Sequence, residues 1–259
     1  MPLIFWCEFP GQVDFTKLNR LISFKASIYF AVRSRNEFLA IKKKIKNKNI
    51  SIGAWPILEK RNGYWFSGFI AKKDIDRLDD FAGLNMKIDI EPPIYHGKHS
   101  LLKDIIWFLR HSIVEGKNNS YLSMKIKKLH GDLIVSGFLL PNFIRKRYGD
   151  YSIASYHGRR YAENYICYTT FFPRFFRGLI RQIYCSIIKR IGKKNFFAIG
   201  LTNSGIFGNE PAYENINEFK KDLAMAKKAG VKNLCVYSIE GILKRNDAEK
   251  WLLAVRDFS

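Results

Sequence analysis

The sequence predicts a single (β/α)8 TIM barrel, an α/β fold, that occupies residues 1–259. Two observations predict this fold. Eight short apolar runs, rich in β-branched and aromatic residues, alternate with stretches of helical periodicity along the chain. A chain of 259 residues is also an ordinary length for one such barrel. An open doubly wound sheet is the alternative, but it usually has fewer strands and a glycine-rich first turn, which this sequence lacks.

The predicted elements follow one another in a regular order. The predicted strands cover residues 3–9, 27–33, 50–56, 86–91, 132–139, 151–156, 196–202 and 234–239. The predicted helices cover residues 14–22, 36–46, 74–81, 101–115, 141–148, 173–191, 214–229 and 247–255. The helix over 214–229 is followed by Gly230, and glycine commonly ends helices because it adopts the left-handed conformation. The fifth helix, over 141–148, is short.

The chain is strongly basic, with 44 Lys and Arg residues against 23 Asp and Glu residues and a net charge of +21. This charge favours an anionic partner, such as nucleic acid, anionic lipid, or a phosphorylated or acidic glycan. Many lysines, however, occur with Ile and Asn in runs such as IKKKIKNKNI, where a compositional bias would scatter charge over solvated surface. We expect a carbohydrate or sugar-phosphate substrate and do not expect nucleic acid as the partner.

The cysteine pattern and the apolar runs bear on location. Cys7, Cys167, Cys185 and Cys235 form no CxxC pair and no disulfide-framework spacing, which is typical of reduced thiols in a cytosol. No stretch approaches 18 uninterrupted apolar residues, and the first ten residues lack the features of a secretory signal. The expectation is a cytoplasmic protein, with a membrane-peripheral position as the alternative.

Carboxylates stand at the ends of three predicted strands, just before a break in the chain. Glu8, Glu91 and Glu240 each precede a turn that contains proline or glycine, and Asp89 lies two residues before Glu91 on the same strand face. Active sites of (β/α)8 barrels lie at the C-terminal strand ends, so these four residues form the predicted catalytic set. The alternative is architectural, with the carboxylates paired to cations such as Lys87.

The loops after the predicted strands carry aromatic and polar residues suited to sugars. Aromatic faces stack on sugar rings, and amide and hydroxyl groups recognise sugar hydroxyls. The predicted substrate-binding residues are Trp55, Tyr64, Trp65, Tyr156, His157, Arg159, Thr202, Asn203 and Tyr213. His157 suits contact with an anionic group or proton transfer. Ordinary packing of these aromatic rings onto the barrel rim is the alternative for each of them.

The segment Asp89-Ile90-Glu91 resembles the end of the strand-four motif D-x-x-D-x-D-x-E of family 18 chitinase-like glycosidases. The resemblance implies that Glu91 is the general acid and that Asp89 orients the acetamido group of the substrate. It covers the last Asp and the Glu of the motif, since Leu84 and Lys87 stand where that family has its first two aspartates. Glu240 stands where that family usually has a tryptophan.

Three functions are compatible with these residues. In a glycoside hydrolase that needs no cofactor, Glu91 would protonate the leaving oxygen, and Glu240 or Glu8 would be the nucleophile or base. In a Mg²⁺- or Mn²⁺-dependent isomerase or phosphodiesterase, the strand-end carboxylates and His157 would be metal ligands. In a non-catalytic barrel, basic helices would bind an anionic polymer or a membrane surface.

The segment 171–194 is predicted to form a basic amphipathic helix with aromatic residues at its start. Its predicted sheet-covering stripe consists of Phe176, Ile180, Ile183 and Ile187, widened by Leu179, Tyr184 and Ile188. Arg174, Arg177 and Arg181 recur at similar spacing. Such a helix can lie in a membrane interface, so the sequence predicts weak, salt-sensitive contact with anionic membranes.

Overall fold

A computed structural model confirms the closed barrel. The structure describes residues 3–94, 101–139, 142–149, 161–192 and 194–258. Parallel strands follow one another around the barrel in chain order, and the eighth strand pairs with the first. The strands are β1 (Leu3–Cys7), β2 (Ala26–Val32), β3 (Ile50–Pro56), β4 (Met86–Asp89), β5 (Leu133–Phe138), β6 (Tyr161–Ile166), β7 (Phe196–Gly200) and β8 (Asn233–Tyr237).

Helices follow the strands in the alternation that the periodicity predicts. They are α1 (Phe15–Leu21), α2 (Arg35–Lys44), α3 (Lys72–Asp76), α4 (Leu101–Ile113), α5 (Asn119–Lys128), α6 (Asn142–Arg145), α7 (Arg177–Ile191), α8 (Ile216–Ala229), α9 (Ile239–Leu243) and α10 (Ala248–Arg256). The Asn215 side chain caps α8 by accepting from the backbone N–H groups of Asn217 and Glu218. The same helix ends at Gly230, whose φ of 76° is left-handed, as the sequence predicts.

Three elements differ from the sequence prediction. The sixth strand is Tyr161–Ile166, and the predicted strand over 151–156 lies outside the described residues. Helix α5 was missed, since its lysine-rich sequence conceals a short buried face that includes Leu122 and Ile126. Glu240 lies in the first turn of α9 rather than at the end of β8, because the strand stops at Tyr237.

One of two compact units of the chain consists of residues 1–31, 38–53 and 164–259. In this unit β1 pairs with β2 and β8, and β7 pairs with β8. Every residue of Leu3–Cys7 is buried, as expected of a parallel strand covered on both faces. Phe219 of α8 stacks on Trp251 of α10 with ring centroids 4.9 Å apart, which joins the two helices through their apolar faces.

A fully buried carboxylate, Asp222 of α8, connects three other segments of this unit. It accepts hydrogen bonds from the Thr169 hydroxyl, the Tyr213 hydroxyl and Arg181 Nε, each at 2.5 Å. Burial, together with the negative charge of Asp222, raises the pKa of Tyr213. Tyr213 therefore stays protonated and remains a hydrogen-bond donor to this carboxylate.

The second compact unit consists of residues 32–37 and 54–163. In its described part β4 pairs with β5 from Met86 opposite Leu133 to Asp89 opposite Ser136. The chain stays extended beyond β4, since the backbone N–H of Glu91 donates to the carbonyl of Phe66 at 3.1 Å. The pairing thus holds Glu91 in place before Pro92 and Pro93 end the extended segment. Across the described ranges, no helix is both long enough and apolar enough to cross a membrane.

Candidate active site

The carboxyl end of β1 places Glu8 beside Tyr237, the last residue of β8. The two strands pair directly, with Trp6 in register with Tyr237. The Tyr237 hydroxyl donates a short hydrogen bond to Glu8 Oε2. Glu8 is buried, with 4% of its surface exposed, so this hydrogen bond stabilises a carboxylate that has little access to bulk water. Its position is the one that the sequence predicts for a strand-end acid.

Glu240 holds the backbone that carries Glu8. Its Oε1 accepts hydrogen bonds from the backbone N–H groups of Glu8 at 3.0 Å and Phe9 at 3.2 Å. Its side chain is fully buried, and this burial raises the pKa of Glu240, although the hydrogen bonds that it accepts offset part of the rise. The geometry makes Glu240 a positioning residue for the end of β1.

The Cys7 thiol lies next to both carboxylates. Burial raises the pKa of Cys7 well above its usual value, and the negative charges of Glu240 and Glu8 raise it further. The thiol therefore stays protonated and is a poor nucleophile in this position.

A cavity whose wall contains both polar and apolar residues adjoins this group. It has a volume of about 430 Å³, and it is lined by Phe9, Gln12, Asn203, Ser204, Gly205, Ile206, Gly208 and Lys244. Gly205 brings the cavity wall against Tyr237, because a Cβ on this glycine would lie 3.0 Å from the Tyr237 hydroxyl and 2.6 Å from Glu210 Oε1. The loop after β7 therefore reaches the residue that donates to Glu8.

The two predicted polar residues after β7 have different surroundings. The Thr202 hydroxyl donates to the Ser238 carbonyl at 2.7 Å and accepts from the Ser238 N–H at 2.9 Å. Asn203 accepts from the Ser238 hydroxyl at 3.0 Å and also lines the cavity. Thr202 therefore fastens the loop to the end of β8, and Asn203 is the better placed of the two for contact with a ligand.

Asp89 lies in a buried ion pair in the second unit. Lys87 Nζ approaches Asp89 Oδ2 to 2.6 Å, and both side chains are almost fully buried. The same ammonium group lies 3.3 Å from the ring centroid of Trp55, a cation–π contact. Burial raises the pKa of Asp89, while Lys87 and the side chains of Ser136 and Trp55 offset part of that rise. For Asp89, the ion pair with Lys87 directly supports the architectural alternative, in which the carboxylate is paired with a cation.

Glu163 of β6 is a buried acid that the sequence prediction missed. It forms an ion pair with the buried Arg145 of α6, with Arg145 Nη2 and Glu163 Oε1 3.6 Å apart. The sixth strand is predicted over 151–156, and Glu163 falls in the loop predicted to follow it. The run YAENYI, in which Glu163 alternates with aromatic and apolar residues, was the signal that could have identified it.

Most of the predicted sugar-stacking rings are packed in the core. Trp55 lies within β3 against Lys87, and Tyr64 packs its ring edge against Trp65 with centroids 5.5 Å apart. Tyr64 and Tyr213 are each at most 2% exposed, so neither presents a ring face to solvent. Burial of large apolar rings stabilises the fold, which is the physical reason for this difference. Trp65 is half-buried, and its role in substrate binding stays a prediction.

Three predicted substrate-binding residues, Tyr156, His157 and Arg159, lie outside the described residues. Among the residues that are described, no group of three or more His, Cys, Asp or Glu side chains is arranged to hold a metal ion. The Mg²⁺ or Mn²⁺ alternative, whose predicted ligands include His157, stays a prediction.

Comparison with protein-family models and with curated proteins finds no match. Solved structures share the fold. The PgaB (BpsB) glycoside hydrolase domain from Bordetella bronchiseptica has a TM-score of 0.61 at 10% identity, covering 98% of this chain and 99% of that chain. A hyperthermostable endocellulase has a TM-score of 0.57 at 10% identity, and an endocellulase from Pyrococcus horikoshii in complex with cellotetraose has 0.54 at 9%. Both alignments cover 99% of this chain and 91% of the other. The chain is therefore similar in fold to these glycoside hydrolases.

The buried ion pair gives a stability prediction. Lys87→Met leaves the Asp89 carboxylate buried without its cation, so we expect the free energy of unfolding to fall by roughly 3–5 kcal/mol. Adding Asp89→Asn should recover much of this loss, because it removes the uncompensated charge. Urea denaturation measures both effects, with the exposed Lys43→Met as the matched control. A Lys87→Met variant as stable as the control would contradict a structural role for the pair.

The raised pKa of Glu240 gives a pH prediction. A carboxyl whose pKa is higher in the folded than in the unfolded state binds more protons when folded, so its ionisation lowers stability as the pH rises through that window. Glu240→Gln keeps the Oε1 acceptor and cannot ionise. We therefore expect its melting temperature relative to wild type to increase from pH 4 to pH 8.

Thermal unfolding followed by circular dichroism across that pH range measures this difference, with the exposed Glu249→Gln as the control. A rise of about 2–4 °C would correspond to roughly 1 kcal/mol for a chain of this size. A difference between Glu240→Gln and wild type that stays constant or decreases with pH would contradict the prediction.

Proposed function

We propose that this protein is a glycoside hydrolase that cleaves a carbohydrate with strand-end carboxylates and needs no cofactor. The observation that carries the proposal is Glu8, a buried carboxylate at the end of β1 that accepts a hydrogen bond from the Tyr237 hydroxyl beside a cavity with polar side chains in its wall. The similarity in fold to a glycoside hydrolase domain and to endocellulases supports a sugar substrate.

The proposed roles differ among the four acids of the predicted catalytic set. Glu8 is the nucleophile or base, and Glu240 positions it through the backbone of Glu8 and Phe9. Glu91 is the general acid, buried and held at the end of the extended segment after β4. Asp89 is a structural residue because Lys87 neutralises it.

The wall of this cavity contains groups that can recognise sugar hydroxyl groups. It presents the Asn203 side chain, the hydroxyl of Ser204 and the backbone around Gly205, which together offer both donors and acceptors. Lys244, whose ammonium group donates to Gln12, adds a positive charge to the wall. This combination favours a neutral or anionic sugar unit at this position.

The general-acid role of Glu91 predicts a kinetic effect. Glu91→Gln should lower the hydrolysis rate at least a hundredfold, because general acid catalysis contributes about 10²–10⁴. The melting temperature should stay close to that of wild type. Cellotetraose, chito-oligosaccharides and uronic-acid oligosaccharides are suitable substrates, with product formation followed by chromatography.

Unchanged turnover in a folded Glu91→Gln variant would rule out the acid role, and a large loss of stability would identify Glu91 as architectural instead. The same assay with a chelator tests the metal alternative. An undiminished rate supports the cofactor-free reaction, whereas loss of activity that Mg²⁺ or Mn²⁺ restores would favour a metal-dependent barrel.

The hydrogen bond between Tyr237 and Glu8 predicts a change in the pH–rate profile. Tyr237→Phe removes a donor that favours the ionised form of the carboxylate. We expect kcat/KM to fall about tenfold and the acidic limb of its pH profile to move to higher pH, with the melting temperature nearly unchanged. Tyr184→Phe, which removes the hydroxyl of a half-buried tyrosine on α7, is the control. An unshifted acidic limb would contradict the positioning role of Tyr237.

A further inference from the structure

Helix α7 and the short 3-10 segment before it, Arg174–Phe176, expose an unusual number of large apolar side chains. Phe175 is 80% exposed, Leu179 is 54% exposed and Ile183 is 42% exposed. The four-residue spacing places Leu179 and Ile183 on one face of α7, and Phe175 lies in the 3-10 turn that leads directly into the helix. Phe171 and Phe176 are also exposed, which extends the apolar surface at the start of the helix.

This apolar face is not the one that covers the barrel. Within α7 the buried residues are Arg177, Cys185 and Ile188, whereas Phe176 and Ile183 of the predicted sheet-covering stripe are exposed. The prediction assigned the buried face of the helix from the positions of its isoleucines. It did not anticipate that Arg177 and Arg181 point towards acidic residues of α8. The apolar face is therefore not buried by packing within this protein, and it is available for contact with a partner.

The arginines of this segment form ion pairs with acidic residues in and just before α8, so they are not free to bind a ligand. Arg177 is buried and forms a short ion pair with Glu218, and Arg181 Nε lies 2.5 Å from Asp222 Oδ1. Arg174 Nη2 lies 2.5 Å from Glu214 Oε2. These pairs fasten α7 to α8 and neutralise the acids that face it. The three arginines are therefore unsuited to be the main anion-binding groups that the sequence suggested.

Besides these arginines, a group of lysine residues lies next to the apolar face of α7. A cavity of about 520 Å³ between α7 and α8 is lined by Arg181, Gln182, Cys185, Ser186, Lys189, Lys221, Ala224, Met225 and Lys228. Lys189, Lys221 and Lys228 are exposed, and none of them forms an ion pair with any residue that the structure describes. Cys185 and Met225, both buried, contribute apolar surface to the cavity.

We propose that this surface binds an anionic lipid bilayer. The apolar face of α7 would insert into the boundary between headgroups and acyl chains, and the cavity lysines would contact lipid phosphates. Charge complementarity is the argument for this partner, since three exposed ammonium groups surround one cavity and α7 itself carries no acidic residue. The adjoining Phe175, Leu179 and Ile183 favour a lipid surface over nucleic acid, because phosphate contacts alone do not require exposed apolar side chains.

Co-sedimentation with vesicles tests this proposal without any need for catalysis. The vesicles contain phosphatidylcholine alone or with 30% phosphatidylserine, at 50 mM and 300 mM NaCl. We expect binding to the anionic vesicles at low salt, at least tenfold weaker binding at high salt, and little binding to the neutral vesicles.

Two variants separate the apolar from the charged contribution. Phe175→Ser with Leu179→Ser should weaken binding at least tenfold, and Gln at Lys189, Lys221 and Lys228 should do the same. The control removes equal charge elsewhere, through Gln at the exposed Lys42, Lys43 and Lys48, and should bind like wild type. All changes lie on the surface, and circular dichroism confirms that each variant is folded.

The proposal is overturned if wild type does not bind anionic vesicles at low salt, or if the control loses as much affinity as the cavity variant. It is also overturned if the apolar variant binds as well as wild type, which would indicate general electrostatic attraction. Tighter binding to a single-stranded RNA oligonucleotide than to vesicles, unaffected by Phe175→Ser with Leu179→Ser, would identify a nucleic-acid surface instead.

Discussion

The buried carboxylate of Asp222 is the interaction on which much of the first unit depends. An ionised group this far from water is costly unless it is fully hydrogen-bonded, so the fold supplies two hydroxyl donors and an arginine. That requirement draws Tyr213 into the core and away from solvent, and it turns Arg181 inward. Because Arg181 and Arg177 occupy the side of α7 that faces α8, the apolar residues on the other side stay exposed. The buried Asp222 carboxylate thus accounts for the burial of Tyr213, the inward orientation of Arg181 and the exposure of the apolar residues on α7.

The sequence was sufficient to predict the barrel because strand and helix periodicities are local properties. Seven strands lie within a few residues of their predicted positions, and the strand order follows from the alternation. The sixth strand, 161–166, was not predicted, because the neighbouring run 151–156, which lies outside the described residues, also has the composition of a strand; the pairing of 164–166 with β7 identifies 161–166 as a strand of the barrel. The short helix α9 was not predicted, because Ile239, Ile242 and Leu243 continue the apolar composition of β8.

The candidate site was only partly predictable. The positions of Glu8 and Glu91 could be read from the sequence, whereas that of Glu240 could not. The ion pair of Asp89 with Lys87 follows from two side chains on one strand face. The partners of Glu8 could not be predicted, because Tyr237 and Glu240 are more than 220 residues away in the chain. Aromatic composition likewise cannot distinguish a ring that binds sugar from one that packs, as Tyr64 and Tyr213 demonstrate. Whether an aromatic ring is buried depends on tertiary contacts, which cannot be predicted from a local sequence pattern.

The thiol of Cys7 makes the end of β1 observable by chemical labelling. It is fully buried, and burial and two neighbouring carboxylates keep it protonated, so a thiol reagent cannot modify it while the strand end stays closed. Any measured alkylation must then pass through an opened state, and its rate reports the free energy of local opening in the way that amide exchange does. Because Cys7 directly precedes Glu8, this rate would report the rigidity of the backbone that carries the proposed nucleophile or base. The protein therefore contains its own probe of how firmly that carboxylate is held.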